Sequence, residues 1–168
     1  MRQDPNNYWE QLERLEKLIR AAELKAGIIF SFHSLILGLF VDRYSYFQEA
    51  FAGSTFLVIL AGLWILSVLI SIYFCFQCFM PRINTEFDKN VFFFRDAAYA
   101  FGSVKEYAKN LIEICDSEEE LFMMLSQQIF IESKIIDRKF SSVQKSLRFF
   151  AASFVFVILM LVVWLIRS

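Results

Sequence analysis

Three long runs free of charge alternate along the chain with stretches dense in charge. The second run is the clearest, because no charged residue occurs between Glu49 and Arg82. Phe56 to Phe79 alone would make a helix of about 36 Å, enough to cross a bilayer with some tilt, and Pro81 is placed to end it. The third run lies between Arg148 and Arg167, where Phe149 to Ile166 supplies 18 apolar or small residues, close to the lower limit for a crossing. Trp164, beside Arg167, suits the membrane interface. The first run, Ala26 to Val41, is shorter and reaches crossing length by borrowing Ala21, Ala22 and a snorkelling Lys25. Backbone groups in lipid must be satisfied within their own segment, so each run is read as a spanning helix. Asp42 to Ser54 is a short polar and aromatic turn, which makes 26–79 a hairpin with spans at about 26–46 and 54–79, followed by a third span over 147–167.

The polar stretches carry their own periodicity. Residues 1–25 read as an amphipathic helix capped by Asp4 with Pro5 in its first turn. Glu10 and Arg14, Glu13 and Lys17, and Glu16 and Arg20 stand four apart, while Trp9, Leu12, Leu15, Ile19 and Ala22 share one face. In the middle segment, 82–146, Val91 to Phe94 is either a short strand or a buried anchor. Ser103 and Glu106 have capping-box spacing and predict a helix through about Cys115, and Asp116 to Glu119 repeats the pattern for a second. No proline or glycine falls between Ser117 and Ile166, so one unbroken helix of about 75 Å is expected to run into the third span. The expected fold class is an all-α membrane protein, with three transmembrane helices, a cytoplasmic helical domain and a long helix continuing into the third span. An apolar stripe on that helix, Leu125, Ile129, Ile136, Phe140, Val143 and Leu147, suggests a homo-oligomer.

Charge adds the orientation. Five basic residues precede the first span and ten lie between the second and third, whereas the 42–54 turn holds Arg43 alone. The excess of Lys and Arg marks the cytoplasmic side, so the amino terminus and the middle segment are expected in the cytoplasm of a cell whose inner membrane holds the spans. A net charge of −1 argues against a nucleic-acid partner. Three cysteines, two of them in an apolar run, do not form a disulfide framework, and the mixed-charge stretch before the first run argues against a removed signal peptide.

Candidate chemistry is sparse. Neither a glycine-rich phosphate loop, nor a paired Cys/His metal spacing, nor a Ser/His/Asp set is visible, so no enzyme, metal or resident cofactor is expected. His33, beside Ser31 and Ser34, either lines a polar path or hydrogen-bonds to a neighbouring helix. Cys75 and Cys78 have redox spacing but lie on an apolar helix, where packing is the simpler role. On the long helix Ser126, Phe130, Ser133 and Asp137 share one face, and Gln128, Glu132, Ile135 and Lys139 an adjacent one. That arrangement is either a solvated surface or one wall of a small-ligand pocket.

At these residues the chain resembles the transmembrane effectors of Pycsar, the pyrimidine cyclase system for antiphage resistance. The markers are Ile19 to Gly27, Phe93 to Ala97 with Ser103 to Tyr107, and Gln128 to Phe140, and the resemblance extends from Tyr8 to the third span. Two positions depart from the family pattern. Glu23 stands where Asp is usual before the Lys-Ala pair, and Arg95 stands in place of a small residue between Phe94 and Asp96. The resemblance implies an effector activated by a cyclic pyrimidine mononucleotide, cyclic CMP or cyclic UMP, that impairs the inner membrane and aborts infection. A constitutive membrane scaffold, or a pore-forming effector of the SLATT type with another trigger, has the same periodicity. A cyclic pyrimidine nucleotide needs a cation, a stacking ring and hydrogen-bonding partners. The candidates are Arg95, Arg138 and Lys139 for the phosphate, Tyr99 and Tyr107 for stacking, and Gln128, Ser133 and Asp137 for the base edge or ribose.

Overall fold

In a computed structural model, which describes residues 4–45, 48, 51, 53–80 and 89–167, the chain is all-α. In chain order its helices include α1 Pro5–Asp42, α2 Thr55–Phe79, α3 Phe94–Tyr99, α4 Val104–Asp116 and α5 Glu118–Arg167. Three of them, α1, α2 and α5, are long and apolar enough to cross a membrane, and no strand occurs among the described residues. The chain divides into two compact units, one drawn from Met1–Arg20 and Arg82–Asp137, the other from Ala21–Pro81 and Arg138–Ser168.

Local chemistry accounts for most helix ends. Asp4 caps α1, its carboxylate accepting from the Asn6 N–H at 3.0 Å, and Pro5 occupies the first turn, where its missing N–H costs nothing. The amphipathic stretch then runs into the first span as one helix of 38 residues. Glu13 pairs with Lys17 at 2.7 Å and Glu16 with Arg20 one turn on. Ser54 caps α2 by accepting from Leu57 N–H, while Pro81, expected to end that helix, lies outside the described residues.

The α4 cap follows the predicted box with a shift. Ser103 accepts from Glu106 N–H at 3.2 Å, but the Glu106 carboxylate reaches back to Gly102 N–H rather than to the cap residue. At α5 the cap is Ser117, whose hydroxyl accepts from Glu120 N–H. Asp116, expected as the start of that box, is the last residue of α4 instead. Without a breaker after it, α5 continues for 50 residues.

In the second unit, small residues let three helices approach closely. Ala22 and Ala26 of α1, Cys75 and Cys78 of α2 and Val143 of α5 form a buried cluster with Ile29, flanked by Phe30, Phe140 and Phe150. Ser71 of α2 donates to the Ser146 carbonyl of α5 at 2.9 Å, and the Cys75 thiol lies 3.0 Å from the Ser146 hydroxyl. Cys75 and Cys78 are therefore packing residues. His33 is fully buried, its ring edge-on to Phe150 at 5.0 Å, and both ring nitrogens lack a partner among the described residues.

The polar join of the bundle is Lys139. Only 3% exposed, its ammonium donates to Glu23 of α1 at 2.7 Å and to the carbonyl of Cys78 at 2.8 Å. That carbonyl belongs to the last turn of α2, where acceptors have no partner within the helix and a cation meets the negative end of the helix dipole. One side chain of α5 thus satisfies groups on both other spans. The apolar stripe expected to join chain to chain is consumed internally in part, since Leu125, Ile136 and Val143 are buried while Leu147 is exposed.

The two ends of the Lys139–Glu23 pair are unequal, because the Glu23 side chain is 41% exposed. Glu23→Leu leaves an ammonium buried without its counter-charge and is expected to cost about 3 kcal/mol, the lower end for such a break. Lys139→Met leaves a carboxylate that water can reach and should cost less than half as much. Denaturation of the two variants in mild detergent measures the difference; equal losses would contradict the assignment.

Candidate functional site

The first unit contains six of the eight candidate ligand residues, Arg95, Tyr99, Tyr107, Gln128, Ser133 and Asp137, while Arg138 and Lys139 fall in the second. Its centre is a residue that pattern reading did not single out. Asn90 is fully buried. Its side-chain amide donates to the Met124 carbonyl at 2.8 Å and to Gln127 at 3.2 Å, its side-chain oxygen accepts from Phe92 N–H, and its own N–H donates to the Asp96 carboxylate. One asparagine therefore pins the start of α3 against the Met124–Gln127 turn of α5. The only advance signal was a polar residue standing directly before an aromatic run.

That run is not a strand: Val91 and Phe92 form a turn that leads through Phe93 into α3 at Phe94. Val91 and Phe93 are buried, and Phe92 stands edge-on to Trp9 at 5.5 Å. It is the buried anchor of the two expected alternatives. The Tyr107 hydroxyl donates to the Val91 carbonyl at 3.2 Å and its ring meets Phe101 at 5.3 Å, so α4 is tied to the same loop. Tyr8 of α1 packs on Phe122 of α5 with ring centres 5.1 Å apart.

Around this framework the candidates differ in what they offer. Arg95 and Tyr99 project from α3 into solvent, Tyr99 at 84% exposure. Asp137 is exposed on α5. Ser133 donates to the Ile129 carbonyl of its own helix, a bond that a hydroxyl on a helix makes readily. Arg138 is exposed in the second unit, and Lys139 there is buried and bound to Glu23 and Cys78. Its ammonium is thus committed within the bundle.

Gln128 stands apart. It is buried, its amide nitrogen donates to Glu132 at 2.9 Å, and its amide oxygen has no hydrogen-bond partner among the described residues. A buried acceptor left unmatched costs about 1–3 kcal/mol, so it stands ready for a donor. Burial pushes the Glu132 carboxyl above its usual range; the bond from Gln128 opposes this, and the nearby Glu16 carboxylate adds to it. The unmatched amide oxygen can accept from a ligand's N–H group.

A family model described as the Pycsar effector protein domain matches residues 7–166. No curated protein and no solved structure matches the chain.

The acid at Glu132 gives a signed pH dependence. The folded chain holds this proton more tightly than the unfolded chain, so its contribution is full below the ordinary carboxylate range, about pH 4, and is lost as pH rises through the raised value. Glu132→Gln should abolish that part of the stability loss over the interval above the ordinary carboxylate range. Denaturation of wild type and variant across this interval checks it, and parallel curves would contradict the burial of the acid.

Proposed function

We propose that this chain, which belongs to the Pycsar effector family and so serves antiphage defence, is switched on by a cyclic pyrimidine mononucleotide bound at its first unit. Its response is to impair the membrane that its three apolar helices cross. The basic-residue asymmetry supports an inner-membrane protein with the first unit in the cytoplasm, where a second messenger would reach it.

The observation that carries the ligand reading is the unmatched Gln128 oxygen beside Glu132. The exocyclic amine of cytosine and the ring N–H of uracil are both donors, and a buried acceptor rewards a base that supplies one. The exposed Arg95 supplies a cation for the single phosphate charge, and the Tyr99 and Tyr107 rings supply stacking faces. Ser133 and Asp137 remain candidates for the ribose. Lys139, buried in the bundle, contributes as a support of the fold.

Titration calorimetry with cyclic CMP, cyclic UMP, cyclic AMP and cyclic GMP tests the reading. One of the two pyrimidine nucleotides should bind, and Gln128→Ala should weaken it roughly ten- to a hundredfold, the effect of losing a strong contact in a partly buried site. Oligomer size and membrane insertion should not change. Absence of binding by all four would replace the ligand-gated reading with a constitutive membrane scaffold.

A further inference from the structure

Helix α4 has two apolar faces. Tyr107, Leu111 and Ile114 are half-buried against the rest of the first unit, where the Tyr107 hydroxyl reaches the Val91 carbonyl. Val104, Ala108, Ile112 and Cys115 are exposed, Val104 at 84% and Ile112 at 60%. They follow one another at intervals of four, four and three residues, the spacing that sets side chains in one line along a helix. Apolar residues scattered singly over a surface need no explanation, but a continuous line of them along about 16 Å of helix marks a contact face.

The charges beside that line indicate what covers it. At about 100° per residue, Lys105, Lys109, Glu113 and Asp116 fall along its side away from the packed face. In chain order that row is basic, basic, acidic, acidic. Lys109 and Glu113 meet within the helix at 3.7 Å, whereas Lys105 and Asp116, both exposed, have no ion-pair partner among the described residues. When two helices pack antiparallel, the same flank of each meets the other with its order reversed. The basic end of one row then faces the acidic end of its twin. The row is complementary to a reversed copy of itself, as a two-fold interface requires, and its charge order fixes orientation more than affinity. A bilayer surface fits less well, because helices that lie on anionic lipid carry Lys and Arg along the whole polar face.

We propose that α4 pairs with α4 of a second copy of this chain, antiparallel about a two-fold axis midway between Ala108 and Ile112. Val104 of one copy then lies against Cys115 of the other, Ala108 against Ile112, and Lys105 opposite Asp116. A helix of 13 residues is about 20 Å long and cannot supply the roughly 800 Å² per partner of a standard stable interface. The contact is therefore weak in free solution and takes effect between copies confined to one membrane, where the effective concentration is high. It is independent of the nucleotide reading, whose stacking residue Tyr107 lies on the packed face of the helix.

Cys115 is exposed while Cys75 and Cys78 are buried, so the native thiol can report the pairing. Oxidation of the full chain with copper phenanthroline in native membranes should link Val104→Cys protein into a dimer through Cys115 of the second copy. Positions 104 and 115 are about 16 Å apart on one helix, too far for a disulfide within the chain. The wild type, whose two Cys115 thiols lie at opposite ends of the pair, should form several times less dimer, and so should Val104→Cys, Cys115→Ser protein. Added to Val104→Cys, the exposed substitution Ile112→Glu should abolish the link. Lys105→Glu should reduce it severalfold, and Asp116→Lys in the same chain should restore it. No dimer from Val104→Cys would overturn the proposal and leave the face to a different partner or to the bilayer surface. Equal linking in the wild type and in the Cys115→Ser control would show random collision, and a charge exchange that restores nothing would show another register; either result would overturn it too.

Discussion

A lysine buried among membrane-spanning helices has to be neutralised and hydrogen-bonded, and the second unit is arranged around that demand at Lys139. Its two partners, the Glu23 carboxylate and the Cys78 carbonyl, come from the other two spans. The arrangement requires α1 to remain helical through Glu23 and α2 to end its hydrogen-bond ladder near Cys78, leaving a carbonyl to receive the ammonium. It also requires close approach, which Ala22, Ala26, Cys75 and Cys78 provide beside it. Glu23 and Lys139 lie in two of the segments that carry the family resemblance, Ile19 to Gly27 and Gln128 to Phe140. Replacing Asp by Glu in the first of these keeps the charge that the pair needs.

The first unit meets the complementary problem, that of holding short helices together with little apolar mass. Asn90 solves it with backbone chemistry: a buried amide that satisfies acceptors on α5 and donors in its own loop turns an irregular stretch into a fixed one. Asp96, the residue kept beside the altered Arg95, accepts the Asn90 N–H, so the carboxylate of that motif has a structural use. Gln128 breaks the rule that buried polar groups are matched, and in a unit otherwise well satisfied that exception marks the place to look for a ligand.

Much of the fold was legible from hydrophobic periodicity. Runs without charge, the Asp4 and Ser103 caps and the lack of any breaker after Ser117 prescribe long helices by local rules alone. Other features were hidden because they depend on distant residues. Nothing local joins Lys139 to Glu23, 116 residues away, and so Lys139 read as a free cation for a phosphate. One helix seen alone cannot show that Leu125, Ile136 and Val143 of the apolar stripe are covered within the chain while Leu147 stays exposed. The short α3 follows an aromatic run whose periodicity fits strand and anchor equally, and the burial of Val91 and Phe93 decides for the anchor. Asp116 and Ser117 are both good caps, and the choice went to the one that lets α4 finish its last turn.

We propose that a cyclic pyrimidine nucleotide acting on the first unit impairs the membrane that the apolar helices cross. The most direct measurement is the decay of a proton gradient across sealed inner-membrane vesicles containing the protein, prepared in both orientations, with a nucleotide that does not cross the bilayer. Inverted vesicles, which expose the cytoplasmic face, are expected to lose the gradient on addition of cyclic CMP or cyclic UMP but not of cyclic AMP, while right-side-out vesicles hold it. Vesicles that stay sealed in both orientations, or that leak before any nucleotide is added, would contradict the account.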